Sequence, residues 1–218
     1  MENKKYTVFL TGATGVMGSA VLTELSNHLD LLNLRLLVYG KSIPSNVSTI
    51  IKNNKSSIEV IKGDLRNYDT ILKCITGTDY VLHVGGMVSP YADKFPYETL
   101  EVNVGGMKNI VKAVLAQENK DSIKVCYIGS VAETGGRNYP YHYGRIGDPI
   151  NISIYDHYAL SKAMAEMILV DSGIKNWVVL RMTGIIHAGL FNNMKPIVMH
   201  VLLMEDWNGV LRKIQVEY

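Results

Sequence analysis

Short apolar runs of strand length alternate with amphipathic helical stretches along most of this chain, and that alternation restricts the possible folds more than any other feature. Residues 6–10, 34–39, 58–61, 80–84, 123–128 and 177–180 read as strands, and 16–29, 68–75, 97–117 and 156–171 as helices. The strand runs are apolar throughout rather than on alternate residues, which is the mark of strands buried on both faces. Strands of that kind, separated by helices, build a parallel sheet with helices on either side. Right-handed crossovers then make a doubly wound α/β sheet, a Rossmann fold, the economical solution. No internal repeat or low-complexity segment interrupts the pattern, and the longest irregular stretch, 133–153, is rich in Gly, Pro, Tyr and Asn.

Charge and composition exclude several function classes. The 22 basic and 20 acidic residues leave a formal net charge of +2. That balance gives no electrostatic case for nucleic acid or an anionic membrane as partner. Cys74 and Cys126 both lie in apolar segments and read as buried free thiols of a reducing compartment. The N-terminus is too polar for a signal peptide, and no apolar stretch approaches the ~20 residues that span a bilayer, so a cytoplasmic location is expected. The six histidines are scattered without metal-ligand spacing, and no metal is expected. Met194, Met199 and Met204 read as packing residues.

The turn after the first strand reads Thr11-Gly12-Ala13-Thr14-Gly15-Val16-Met17-Gly18, with glycines at every third position. Between a strand and a helix, this spacing makes a phosphate cradle. Gly12 permits the tight turn, Gly15 lets the backbone approach a pyrophosphate, and Gly18 lets the helix pack closely on the sheet. The N–H groups at the start of that helix, over Thr14, Val16 and Met17, supply the partial positive charge. The adenine end then falls at the next strand ends. Asp64 and Leu65 follow the third strand, and Val84 and Gly85 follow the fourth, although each pair would also suit an ordinary turn. An acid at the end of the second strand would favour NAD; that position reads Tyr39-Gly40-Lys41-Ser42. Lys41 and Ser42, with Arg35 near, point instead to the 2′-phosphate of NADP, with a solvated Lys41 as the alternative.

Tyr158 and Lys162 are four residues apart on a predicted helix, hence on one face. A phenol titrates near ~10 and is a poor proton carrier at neutral pH. A cation within ~4–6 Å favours its ionised form by ~1–3 units. A lysine one helical turn away is placed to do this.

Together these motifs resemble the extended short-chain dehydrogenase/reductase family, in its NAD-dependent epimerase/dehydratase branch. The resemblance runs over roughly residues 5–187. It rests on Thr-Gly-x-x-Gly-x-x-Gly, Gly63-Asp64, Asn103 in Asn-Val-Gly-Gly, Ser130, Tyr158-x-x-x-Lys162, and Val179-Leu180-Arg181 followed by Thr183-Gly184. It implies a catalytic trio of Ser130, Tyr158 and Lys162, with Asn103 supporting it and Tyr158 and Lys162 also touching the cofactor. The implied activity is NAD(P)-dependent reduction of a carbonyl or oxidation of a secondary alcohol in a small-molecule substrate. A nucleotide-sugar epimerase or dehydratase, and a non-catalytic NAD(P) sensor, are the alternatives. Members of this branch usually carry a larger C-terminal lobe. The expected organisation is therefore an NAD(P)-binding domain over 1–187 and a rudimentary substrate region over 188–218. A homodimer through the helices at 97–117 and 156–171, using Val111, Val114, Leu115, Met164 and Ile168, is also expected.

Overall fold

The computed structural model describes residues 5–40, 42–135, 147–153 and 155–185. Six strands form one sheet: β1 (Tyr6–Thr11), β2 (Leu32–Val38), β3 (Ile58–Lys62), β4 (Tyr80–His83), β5 (Lys124–Ser130) and β6 (Asn176–Met182). Every pairing is parallel, and the strand order is β3-β2-β1-β4-β5-β6. The chain winds outward from β1 in one direction to β3, then returns to β4 and winds the other way. The reversal lies between β1 and β4, and open α/β sheets of this kind bind ligands beside it.

Along β1 and β2 the side chains divide between two cores, as a period of two requires. Phe9 and Leu37 join one core with residues of α3 (Tyr68–Ile75), α6 (Gly106–Leu115) and α7 (His157–Val170). Val8, Leu10, Leu34, Leu36 and Val38 join the other, with Leu22 of α1 (Val16–Ser26) and Val47 of α2 (Ser45–Asn53). Each fully buried side chain of this size contributes ~1.5–3 kcal/mol, so both layers stabilise the sheet strongly. The edge strand β6 differs. Val178 and Leu180 are 46% and 44% exposed, so among the described residues this edge lacks the second layer that covers β1 and β2.

The helix α2 was not expected from the sequence. It starts after Pro44, and Val47, Ile50 and Ile51 pack its apolar side. The signal was present at helical intervals, but in only nine residues. The single helix expected over 97–117 is instead a composite. A short α4 (Tyr91–Lys94) and α5 (Pro96–Thr99) lead into a π-helical segment, Leu100–Gly105, and then α6. The π-helical segment carries Asn103, and such bulges frequently mark functional positions. The start of the expected loop at 133–153 is ordered as a 3₁₀ turn, Val131–Thr134, directly after β5. The expected substrate region at 188–218 lies outside the described residues, as do Met194, Met199, Met204 and Lys41. No helix among the described residues is long and apolar enough to cross a membrane.

Candidate active site

The turn between β1 and α1 is built by backbone-to-backbone contact. Gly12 has φ +75°, in the left-handed region, and a Cβ there would lie 2.6 Å from the Cα of Gly85. The ends of β1 and β4 therefore touch at the point where the sheet order reverses. A Cβ on Gly18 would lie 1.9 Å from the carbonyl oxygen of Gly12, so α1 sits directly on the turn. Gly15 caps α1 without a side-chain cap, whereas α3 and α7 are capped by Asn67 and Asp156. Gly15 and Val16 are exposed. An exposed helix start of eleven residues, free of a side-chain cap and with glycine in front of it, has the donor set a pyrophosphate requires. The residues present thus fit a dinucleotide.

Beneath this turn, Thr11 Oγ1 accepts from the Gly85 N–H at 3.0 Å and lies 2.8 Å from His83 Nδ1. Burial pushes the imidazole down to about 3, with the positive Lys162 acting in the same direction. His83 therefore stays neutral and stacks on Tyr127 at 5.4 Å between ring centroids. Nothing in the sequence singled out His83; it lies at the end of an otherwise apolar strand.

Asp64 and Leu65 follow β3 as expected. The Asp64 carboxylate is engaged by Arg66, whose Nη2 donates to Oδ2 at 2.7 Å. Arg66 holds it below the usual carboxylate range. Leu65 is buried against Gly106 of α6. Arg35, expected near a 2′-phosphate, is elsewhere. It lies in the middle of β2, pairs with Glu59, and donates to the carbonyls of Cys74 and Thr76 at the end of α3. Its alternation in the strand points it to that helix rather than to the carboxyl end of the sheet. Cys74 is buried and Cys126 half-buried, and burial raises both thiols.

Three polar residues are buried on α7: Ser161, Lys162 and Glu166. Burying such groups costs free energy unless each finds a partner, and each does. Ser161 donates to the Tyr158 carbonyl at 2.8 Å and accepts from Asn103 Nδ2 at 2.9 Å. Asn103 also exchanges two hydrogen bonds with the Met87 backbone, tying the segment after β4 to α7. Lys162 Nζ donates to the Ile128 carbonyl at 2.7 Å and lies 4.8 Å from the Tyr127 ring centroid. Glu166 takes two hydrogen bonds from Arg181 of β6, at 2.6 and 2.9 Å.

Tyr158 begins this row and is half-buried. Its phenol lies near the side chain of Ser130, the last residue of β5. The expected depression of the phenol is not found. Burial raises it above its ordinary value and outweighs the influence of Ser130, which acts downward. Burial also pushes the Lys162 amine down to about 8. A half-buried phenol near a serine hydroxyl, on the same helix as a buried lysine one turn further along, can exchange a proton with a substrate oxygen. Among the described residues no group of His, Cys, Asp or Glu gathers as a metal site.

Of the expected dimer residues, Val111 and Val114 are in the core and Ile168 packs against it. Leu115 and Met164 are 37% and 38% exposed.

The doubly wound sheet and its uncapped glycine turn define a dinucleotide-binding protein of the Rossmann type. The family model described as "NAD dependent epimerase/dehydratase family" matches residues 8–202, and the chain belongs to that family. Among curated proteins it is 31% identical over 111 residues to the UDP-glucose 4-epimerase of Rickettsia bellii, spanning 49% of this chain and 32% of the relative. The chain thus spans about a third of the length of such relatives. Among solved structures, the Bordetella bronchiseptica enzyme WbmH in complex with NAD+ superposes with a TM-score of 0.70 at 19% identity, over 90% of this chain and 64% of that one. The Thermus thermophilus UDP-glucose 4-epimerase complex with NAD gives 0.65 at 21% identity, over 80% and 54%.

Proposed function

We propose that this chain interconverts a secondary alcohol and a carbonyl in a small molecule, using NAD(P) and the Ser130–Tyr158–Lys162 site. The observation that carries this reading is the seating of α7 on β5: Lys162 Nζ donates to the Ile128 carbonyl at 2.7 Å, and the Tyr158 phenol lies near Ser130 at the end of that strand. When bound, the nicotinamide supplies or accepts the hydride. Tyr158 gives the proton to the substrate oxygen in reduction and takes it in oxidation. Ser130 donates to the same oxygen and steadies the charge that develops there. Lys162 holds a positive charge one turn behind the phenol. Asn103 fixes the segment after β4 against α7. His83 and Thr11 hold the crossing of Gly12 and Gly85, beside which the dinucleotide is expected to lie.

A second reading, nucleotide-sugar epimerase or dehydratase, is supported by the family and by relatives named UDP-glucose 4-epimerase. The two readings share the proton carrier and differ in whether the hydride returns to the same substrate. Incubating the chain with NAD or NADP and a panel of aldehydes, ketones, secondary alcohols and nucleotide sugars separates them. Net change in nicotinamide absorbance supports the oxidoreductase. Conversion of a nucleotide sugar without net change supports the epimerase or dehydratase. Cofactor binding with neither would leave a sensing protein as the better account. NADP is proposed over NAD because residues 39–42 hold no carboxylate. The exposed Leu115 and Met164 support a homodimer through α6 and α7, which light scattering at micromolar concentration tests.

A further inference from the structure

Glu133 is fully buried directly behind Ser130, in a position no sequence motif marked. Its Oε1 accepts the Ser130 N–H at 2.6 Å, while Ser130 Oγ accepts the Ala132 N–H at 3.2 Å. These bonds form a reciprocal cap on the Val131–Thr134 turn. Gly129 makes room for it, since a Cβ there would lie 2.7 Å from Oε1. The second oxygen, Oε2, receives no donor from the protein. The Arg181 Nε is 3.7 Å away and is bonded to Glu166, and Arg181 Nη1 goes to the Asp148 carbonyl at 2.6 Å. Two buried carboxyls therefore converge on one guanidinium, and only Glu166 is hydrogen-bonded to it. Like charges held together, with one oxygen buried and unpartnered, disfavour the doubly ionised pair.

We infer that Glu133 is a positioning residue held as a neutral acid: Oε1 fixes Ser130 beside Tyr158, and the proton on Oε2 is donated toward Glu166. This rests on the function proposed above. The other charged or titratable groups around it are Tyr127 on β5, Tyr158 and Lys162 on α7, and Arg181 on β6. Burial and the Glu166 contact push Glu133 upward, while Arg181 holds Glu166 down. A neutral Glu133 adds no negative charge beside Tyr158, whereas an ionised one raises the phenol further.

Glutamine preserves both functions of a neutral acid, accepting from Ser130 and donating to Glu166; valine preserves neither. The test compares Glu133→Gln and Glu133→Val in the full chain. The first readout is the titration of the Tyr158 ring by ¹³C NMR, assigned with Tyr158→Phe. The second is turnover, with kcat and KM separated. Glu133→Val is expected to lower kcat by ~10-fold or more with cofactor KM nearly constant, and Glu133→Gln to restore most of that loss. The Tyr158 phenol should titrate at lower pH in Glu133→Gln than in the parent, because the nearby carboxylate no longer forms. A lower melting temperature in Glu133→Val with kcat and the Tyr158 titration both unchanged would reduce Glu133 to a structural residue and overturn the inference. Equal damage from glutamine and valine would show that an ionised carboxylate is needed and overturn it too. The NMR readout decides without a substrate. Failure of the proposed catalysis appears separately, as a Tyr158→Phe variant that retains the parent's turnover.

Discussion

The two ends of the site are made from different materials. Around Gly12, Gly15, Gly18 and Gly85 the chain presents backbone, its geometry depends on side chains being absent, and Thr11 and His83 brace it from beneath. Around Ser130, Tyr158 and Lys162 it uses buried polar side chains from β5, α7, β6 and the π-helical segment, most of them held by one another or by nearby backbone. The first kind of site leaves a local signature, because consecutive residues must all be small or able to turn. The second is assembled from residues up to 58 positions apart, as in the bond between Asn103 and Ser161. A glycine turn fails by steric overlap, whereas a polar network fails by losing a proton or a partner.

The largest expected difference comes from removing one proton in the polar half. Tyr158→Phe keeps the ring and its packing but cannot exchange a proton. Turnover should fall by ~10²–10⁴-fold while cofactor affinity changes by no more than a few-fold. Steady-state kinetics with parallel fluorescence titration of the cofactor measures both. A variant that keeps more than about a tenth of the parent rate would remove Tyr158 from the role of proton carrier.

A somewhat smaller effect is expected in stability, and it has a definite sign with pH. Burial lowers Lys162 from 10.5 to about 8. Between those values the unfolded chain holds a proton that the folded chain has released, so stability rises with pH across that window. It is lost again as pH falls through about 8. The full difference is on the order of 3 kcal/mol. Urea unfolding of the parent and of Lys162→Met at several pH values should show the parent gaining on the variant from about pH 8 upward. Parallel curves would mean that the amine is not desolvated in the folded chain.

The glycine half should break sterically. Gly18→Ala puts a methyl group 1.9 Å from the Gly12 carbonyl, which backbone movement alone can relieve. Overpacking of this kind costs ~1–3 kcal/mol, so cofactor affinity should fall by ~10–100-fold as the turn shifts. Gly15→Ala meets only the Gly12 carbonyl, at 3.3 Å, and should disturb the fold far less. Gly15→Asp adds charge without that overlap and should weaken binding while the fold survives. Equal affinities for Gly18→Ala and the parent, in a calorimetric titration, would show that the turn does not hold the cofactor.

How much of this was legible follows from the same contrast. The doubly wound parallel sheet and the turn at 11–18 could be read because apolar runs and glycine spacing are local, whereas the strand order comes from the structure. Tyr158 and Lys162 were visible as a helical pair, and Glu166 extends the same spacing by another four residues. The structure adds what that face meets: Arg181 for Glu166, the Ile128 carbonyl for Lys162, and Asn103 for Ser161. Those partners are set by the packing of α7 on β5 and β6, which no spacing within one element encodes. The fate of Arg35 shows the converse error. Nearness in sequence to the end of β2 suggested a ligand contact, but strand alternation turned the side chain onto α3.

The smallest expected effect lies after β2, where the proposed choice of cofactor rests on a side chain. After β2 the chain turns through Gly40, with φ +82° and open space around it, to an exposed Ser42. No carboxylate stands there to reject a 2′-phosphate. Arg66 is already committed to Asp64. On the proposed NADP reading, one cation against the 2′-phosphate is worth a screened charge pair, ~0.2–1 kcal/mol, so Lys41→Ala should lower the preference for NADPH by only ~2–5-fold. The effect should shrink as salt is added, because such a pair is screened within a Debye length of ~8–10 Å. Titrating both reduced cofactors into the parent and the variant, at low and high salt, measures the ratio directly. A parent that binds NADH as tightly as NADPH, or a ratio unmoved by the substitution, would make Lys41 a solvated surface charge and leave cofactor choice to the backbone turn.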